Sequence, residues 1–103
     1  YLYFFERAVP SEKQTIGATH ALELAYIFGS FFPFVARDNW DDELSEIMLS
    51  DWTEFAKTGV PNNSWPEFSS KDPIARIYGD RVYERKLKDF KLFEALADYL
   101  NKF

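Results

Sequence analysis

His20 is the single histidine of this 103-residue chain, set in the stretch GATHALELAYIFG that runs from Gly17 to Gly29. An imidazole is the side chain whose ordinary pKa lets it take and return a proton near neutrality. Placed at the end of a glycine-bearing loop and the start of a helical run, it suits a general acid–base role. Such a base performs no reaction alone, because it needs a nucleophile within hydrogen-bond reach and a carboxylate on its other ring nitrogen. The serines Ser11, Ser30, Ser45, Ser50, Ser64, Ser69 and Ser70 all lie outside the G-x-S-x-G context that builds a strained, exposed nucleophile. Glu23, three residues past His20, reads as a first-turn carboxylate that suits the dipole of the helix it enters. Gly17 is either a position that permits an unusual backbone angle or a plain turn glycine. Asp51 is expected to face away from the apolar stripe of its helix. On these residues alone capping or packing explains His20 better than catalysis does, and no site assembles within the chain.

The elements that would position His20 are readable from the pattern. YLYFF (Tyr1 to Phe5) is a continuous apolar and aromatic run, expected to be a strand covered on both faces. The segment from Arg7 to Thr19, with Pro10 and Gly17, reads as a long loop that delivers His20. Leu22, Ala25 and Tyr26 are spaced for a short helix that Gly29 ends. From Trp40 to Lys57, Leu44, Ile47, Met48, Trp52, Phe55 and Ala56 recur at helical steps. Asp41, Asp42 and Glu43 crowd the first turn, Asp38 or Asn39 offers a cap, and Gly59 and Pro61 supply the stop. PNNSWPEFSS, with Asn62 and Asn63 between prolines, must be irregular, and ARIYGDRVYERK alternates around Gly79-Asp80 as a small hairpin would. Phe90, Phe93, Leu96, Ala97 and Leu100 mark one face of a last helix. Trp40, Trp52 and Trp65 are assigned to packing. Tyr26, Phe28, Phe31, Phe32 and Phe34 are expected in the core, with room for one of them at a pocket rim.

Composition narrows the function classes. A formal charge of −5 argues against nucleic acid, since phosphate neutralisation needs clustered Lys and Arg. The one basic cluster, Arg81 to Lys91, is interleaved with acids and reads as a solvated face. With no cysteine and one histidine, neither a disulfide framework, thiolate chemistry nor a zinc site is expected. No apolar run reaches the about 20 residues of a membrane span, so neither a membrane nor a metal or cofactor is expected as a partner. The chain starts at Tyr1, which suggests a processed or partial polypeptide with a single small core.

YLYFFERA, GATHALELAYIFG, LSEIMLSDWTEFAKTGVPNN and WPEFSS follow in order and spacing that resemble the C-terminal part of type-B carboxylesterases, the α/β-hydrolase branch that includes the cholinesterases. The resemblance covers nearly the whole chain and is weakest from Lys71 to Leu87. Its most specific pieces are Gly17, Ala18, His20, Glu23 and Leu24, closed by Phe28-Gly29, and the series Trp52, Phe55, Ala56, Gly59 and Pro61. What it implies is an α/β-hydrolase fold present only as its C-terminal portion: one core strand, the histidine loop, helices and a possible small hairpin, not an autonomous fold. Residues 1–103 would then be one segment of a single catalytic domain. His20 would match the histidine of a Ser-Glu/Asp-His triad, with Glu23 and Gly17 close behind it and the serine and acid supplied by the N-terminal remainder of the same enzyme. The implied activity is hydrolysis of a small-molecule ester, with no cofactor and no metal. The alternative is a non-catalytic binding or adhesion module of the same branch, and a third reading is an independent small α+β domain. The lack of cysteine leans the expectation toward a microbial, intracellular enzyme.

Overall fold

The computed structural model describes residues 1–10, 17–31, 37–62 and 64–102. The loop reading for residues 11–16, the position of Ser11, the burial expected of Phe32 and Phe34, and the irregularity assigned to Asn63 lie outside these residues. Six elements form: β1 (Tyr3–Phe5), α1 (Glu23–Phe28), α2 (Asn39–Thr58), β2 (Ile74–Tyr78), β3 (Val82–Lys86) and α3 (Phe90–Leu100).

α2 forms where its local signals converge. Asp38 and Asp41 make a reciprocal capping box: the Asp38 carboxylate accepts from the Asp41 N–H at 3.2 Å, and the Asp41 carboxylate accepts from the Asp38 N–H at 2.9 Å. These two bonds satisfy donors that every helix start leaves open. Gly59 closes the other end at φ 78°, its N–H donating to the Phe55 carbonyl at 2.8 Å, a left-handed angle that glycine adopts without a Cβ clash. Gly29 ends α1 in the same way at φ 63°.

The sheet has the order β1-β2-β3. β1 pairs parallel with β2, Phe4 opposite Ile77, and β2 pairs antiparallel with β3, Ile77 opposite Tyr83. The hairpin expected around Gly79-Asp80 is present, and its first strand is also the parallel neighbour of β1. A parallel pair needs a crossover between its strands, and the chain between β1 and β2 carries both α1 and α2. β2 is the central strand, with Ala75, Arg76, Ile77 and Tyr78 all buried. β1 lies at one side of the sheet among the described residues, with Tyr3 and Phe5 packed inward and Phe4 39% exposed; the cover expected on its second face would come from polypeptide outside this chain.

The core gathers Tyr26 and Ile27 of α1, Leu44 and Met48 of α2, Trp65 and Tyr78, with Tyr3, Phe5, Phe31 and Trp52 packed against it. Trp65 and Trp40 pack as expected, each with its indole N–H paired to a backbone carbonyl, that of Leu2 and that of Gly79 respectively. Phe28, by contrast, lies outside the core at 72% exposure. α3 adopts its expected helix, yet Phe93, Leu96 and Leu100 are exposed. Among the described residues, no helix is long and apolar enough to cross a membrane.

Candidate active site

His20 sits in the turn that leads into α1, and its side chain is exposed. The turn is held by backbone bonds: Leu22 N–H to the Thr19 carbonyl at 3.2 Å, Leu24 N–H to Ala21 at 3.2 Å, and Ala25 N–H to Leu22 at 3.3 Å. Left-handed angles flank the histidine. Gly17 has φ 70°, and Ala21 has φ 64°, the one positive value at a non-glycine position among the described residues. A Cβ at Gly17 would meet nothing within 4 Å, so glycine is favoured there by backbone angle and not by space. For alanine a left-handed angle costs about 1–2 kcal/mol, and a cost of that kind persists only where surrounding structure imposes it.

α1, which follows this turn, is fixed to the rest of the chain through Tyr26. The side chain of Tyr26 is fully buried, its ring packed tilted against Phe5 and edge-to-face against Phe31, both at centroid distances of 4.9 Å. Its hydroxyl donates to Asp41 Oδ1 at 2.6 Å, and its carbonyl accepts from Ser45 Oγ at 2.8 Å. Asp41 is itself fully buried and meets Arg7, whose Nε donates to Oδ1 at 2.7 Å and whose second terminal nitrogen donates to Oδ2 at 3.0 Å. Arg7 also reaches Asp80 at 2.8 Å and Asp38 at 3.2 Å. Burial by itself would raise the Asp41 pKa, but the bonds from Arg7, Tyr26 and the Asp38 backbone outweigh it and bring it down to about 2. The Tyr26 phenol is pushed well above its usual range, first by burial and then by its bond to Asp41.

A second cluster of the same types lies ten positions along α2. Asp51, expected to face outward, is buried and accepts from Tyr78 Oη and from Asn62 Nδ2, the latter at 2.6 Å. Arg76 stands 3.4 Å from it and also meets Glu84 at 2.9 Å. The reason is angular: residues 41, 44, 48 and 51 follow each other at three- and four-residue steps, so both aspartates fall on the stripe that Leu44 and Met48 mark. A buried carboxylate is tolerated because each has a guanidinium and neutral donors. The inward step of Asp41 and Asp51 was a readable signal; that Arg7 and Arg76 would meet them was not.

Glu23 is half-buried in the first turn of α1, as expected, and its charge adds to burial in raising the Tyr3 phenol pKa. It turns toward β1, and among the described residues it makes no hydrogen bond with His20. Ser45 and Ser64 hydrogen-bond to Tyr26 and Asn62, and Ser69 accepts from the Asp72 N–H. None of these serines meets the imidazole. An apolar cleft of about 170 Å³, bordered by Tyr1, Tyr3, Trp52, Phe55 and Trp65, opens beside Asp51 and does not include His20. Among the described residues no group of three or more His, Cys, Asp or Glu could hold a metal ion.

Residues 1–92 match the model of the carboxylesterase family. The chain belongs to that family. Carboxylesterase 4A of Bos taurus is 37% identical over 84 residues, covering 75% of this chain and 15% of the relative. The medium-chain fatty acyl-CoA hydrolase precursor of Anas platyrhynchos is 30% identical over 102 residues, covering 89% of this chain and 18% of the relative. Among solved structures, a carboxylesterase of Geobacillus stearothermophilus superposes with a TM-score of 0.72 at 25% identity, over 92% of this chain and 21% of its own. The chain therefore spans about a fifth or less of the carboxylesterases it matches. Its three-stranded mixed sheet with flanking helices is a portion of the α/β-hydrolase fold.

Proposed function

We propose that residues 1–103 form the C-terminal segment of a single α/β-hydrolase catalytic domain that hydrolyses carboxylic esters, and that His20 is its general acid–base. The N-terminal remainder of the same enzyme would supply the serine, the triad acid and the oxyanion donors, and this segment would be inactive without it. The observation that carries this reading is an exposed imidazole on a turn with left-handed angles at Gly17 and Ala21, leading into a helix anchored by a fully buried tyrosine. A histidine serving only to pack would be buried. One serving only to cap would leave no reason to hold Ala21 at a costly angle. The family match supports ester hydrolysis as the class of reaction.

In the proposed reaction His20 removes the proton from the serine hydroxyl as its oxygen bonds to the ester carbonyl carbon. The tetrahedral oxyanion collapses, the ester C–O bond breaks, and His20 returns that proton to the departing alkoxide. The same imidazole then takes a proton from water as it attacks the acyl-serine. That proton passes to the serine oxygen as the acid leaves. The upstream carboxylate holds the ring nitrogen that carries its own proton. Glu23 and Gly17 act behind the imidazole, the first by starting α1 and the second by setting the loop's angle.

The test is made in the enzyme that carries this segment, with p-nitrophenyl acetate as substrate and a fluorophosphonate as label. His20→Gln should lower kcat/KM by about 10⁴ or more, as loss of a triad member does, while the circular dichroism spectrum is unchanged. Activity within tenfold of the native enzyme overturns the assignment. A native polypeptide that neither labels nor hydrolyses the ester would support the non-catalytic binding module instead.

A further inference from the structure

The loop that ends in His20 has two ends, and one carboxylate holds both. The chain leaves β1 at Phe5, and two residues later Arg7 turns its guanidinium onto Asp41. It returns past His20 into α1, where Tyr26 places its hydroxyl on the same carboxylate. Asp41 belongs to neither end. It stands in the first turn of α2, tied to the Asp38 backbone by the capping box. Each of its oxygens accepts two bonds, Oδ1 from Arg7 and Tyr26, and Oδ2 from Arg7 and the Asp38 N–H.

We propose that Asp41 is a positioning residue which, through Arg7 and Tyr26, clamps the entry and exit of the histidine loop onto the start of α2 and so fixes where the imidazole stands. The inference rests on the reading of His20 as the general acid–base and adds the device that holds it. Apolar packing alone does not demand this cluster, since a buried ion pair is weak evidence of net stability and an apolar replacement of similar volume is often as stable. What four directional bonds add is a fixed orientation. Tyr26 follows His20 by six residues, so a shift of α1 along or about its axis is passed to the imidazole through the short turn at Ala21. Misplacement of a catalytic group by about 1 Å can cost about 10²-fold in rate.

The Asp51 cluster provides a control of the same chemistry. Tyr78 donates to Asp51 on the same helix, but its strand carries no part of the histidine loop. Tyr26→Phe removes one hydroxyl and leaves the ring against Phe5 and Phe31. Tyr78→Phe removes the matching hydroxyl at the other cluster.

The experiment measures kcat and KM for p-nitrophenyl acetate in the enzyme carrying this segment, each normalised to active sites counted by the end point of fluorophosphonate labelling. Tyr26→Phe is expected to lower kcat per labelled site by about tenfold with KM within twofold, and Asp41→Asn to lower it further. Tyr78→Phe is expected to leave kcat per site within twofold while lowering the melting temperature by a similar amount to Tyr26→Phe. A purely structural role would lower the number of sites and leave kcat per site intact, and that result overturns the proposal. So does an equal loss per site in Tyr78→Phe. If Asp41→Asn fails to fold, the two phenylalanine variants decide the matter between them. His20→Gln separates the two layers: if it stays active the reading of the histidine fails, and if it is silent while Tyr26→Phe is native per site only the clamp fails.

Discussion

α2 carries two buried aspartates, and the two differ in what they tie down. Asp41, at the helix start, joins the two ends of a loop to a helix; Asp51, past its middle, joins the helix to the central strand and to Asn62. Both have a tyrosine and an arginine. The partners of the first come from the two sides of the histidine loop, Arg7 just past β1 and Tyr26 on α1, whereas Tyr78 and Arg76 belong to a strand paired on both sides. One kind of cluster therefore serves two ends: at Asp51 it ties the helix to a strand that the sheet already pairs, and at Asp41 it ties the helix to segments outside the strand ladder.

The sharpest test of that difference is to remove each arginine. Arg7→Ala leaves a fully buried carboxylate with only the Tyr26 hydroxyl and a backbone N–H. Loss of one partner from a buried pair costs about 3–5 kcal/mol. Arg76→Ala should cost less, because each aspartate retains two neutral donors but the Arg76–Asp51 separation is 3.4 Å against 2.7 Å for Arg7–Asp41. Urea unfolding of both variants in the enzyme carrying this segment measures the order. An equal or larger loss in Arg76→Ala would mean that the two clusters bear equivalent loads.

Acid should act on the Asp41 cluster next. The folded pKa of Asp41 lies near 2, below the ordinary 3.8. A carboxylate depressed on folding contributes stability that is present above its unfolded pKa and lost as pH falls through the folded value. The native protein should lose stability on the order of 2 kcal/mol from this group between about pH 4 and pH 2. Asp41→Asn, less stable at neutral pH, should show a correspondingly flatter profile over that window. Chemical unfolding at pH 5 and pH 2 checks it, and an unchanged slope in the variant would remove Asp41 from the account.

Alkali acts on both clusters together. The phenols of Tyr26 and Tyr78 are raised, in each case first by burial and then by the aspartate that accepts from it. A group raised on folding gives stability that is complete below its unfolded pKa, about 10 for tyrosine, and fades as pH rises toward the folded value. Stability should thus decline above about pH 10, and Tyr26→Phe or Tyr78→Phe should each soften the decline. At neutral pH each loses about 1.5–3 kcal/mol, the size of a hydrogen bond to a charged group. Thermal unfolding at pH 8 and pH 11 measures both effects.

The parts of this architecture that were legible in the sequence are those set by neighbours in the chain. Asp38, Gly59 and the acidic first turn mark α2 because capping and dipole act over three or four residues, and Gly79-Asp80 marks the hairpin for the same reason. The parallel pairing of β1 with β2 was not legible, since nothing local in YLYFF names a partner that arrives after two helices. Asp51, expected to face outward, lies inside because its step from Leu44 and Met48 keeps it on the buried stripe, and angular position prevails over polarity where partners are present. His20 stood out only as the one imidazole; the residues around it became informative through family resemblance, and its anchoring by Arg7, Asp41 and Tyr26 required the fold. α3 shows the reverse limit, since an amphipathic face was legible while the surface it would pack against was not.

The smallest expected effect lies at Ala21, where the Asp41 half of the molecule holds a left-handed non-glycine angle. Ala21→Gly removes a strain of about 1–2 kcal/mol but adds about 0.5–1 kcal/mol of unfolded-chain entropy that must be lost on folding. The net change in stability should fall between zero and about 1.5 kcal/mol in favour of glycine, a rise of a few degrees at most in melting temperature. If the clamp at Asp41 is what imposes the angle, the gain should shrink in a Tyr26→Phe background, because a loosened α1 lets alanine relax without the substitution. A double-mutant cycle on melting temperature reads that coupling directly. Strict additivity would show that the angle at Ala21 is set by the turn alone, and the loop would then be anchored by Asp41 without being strained by it.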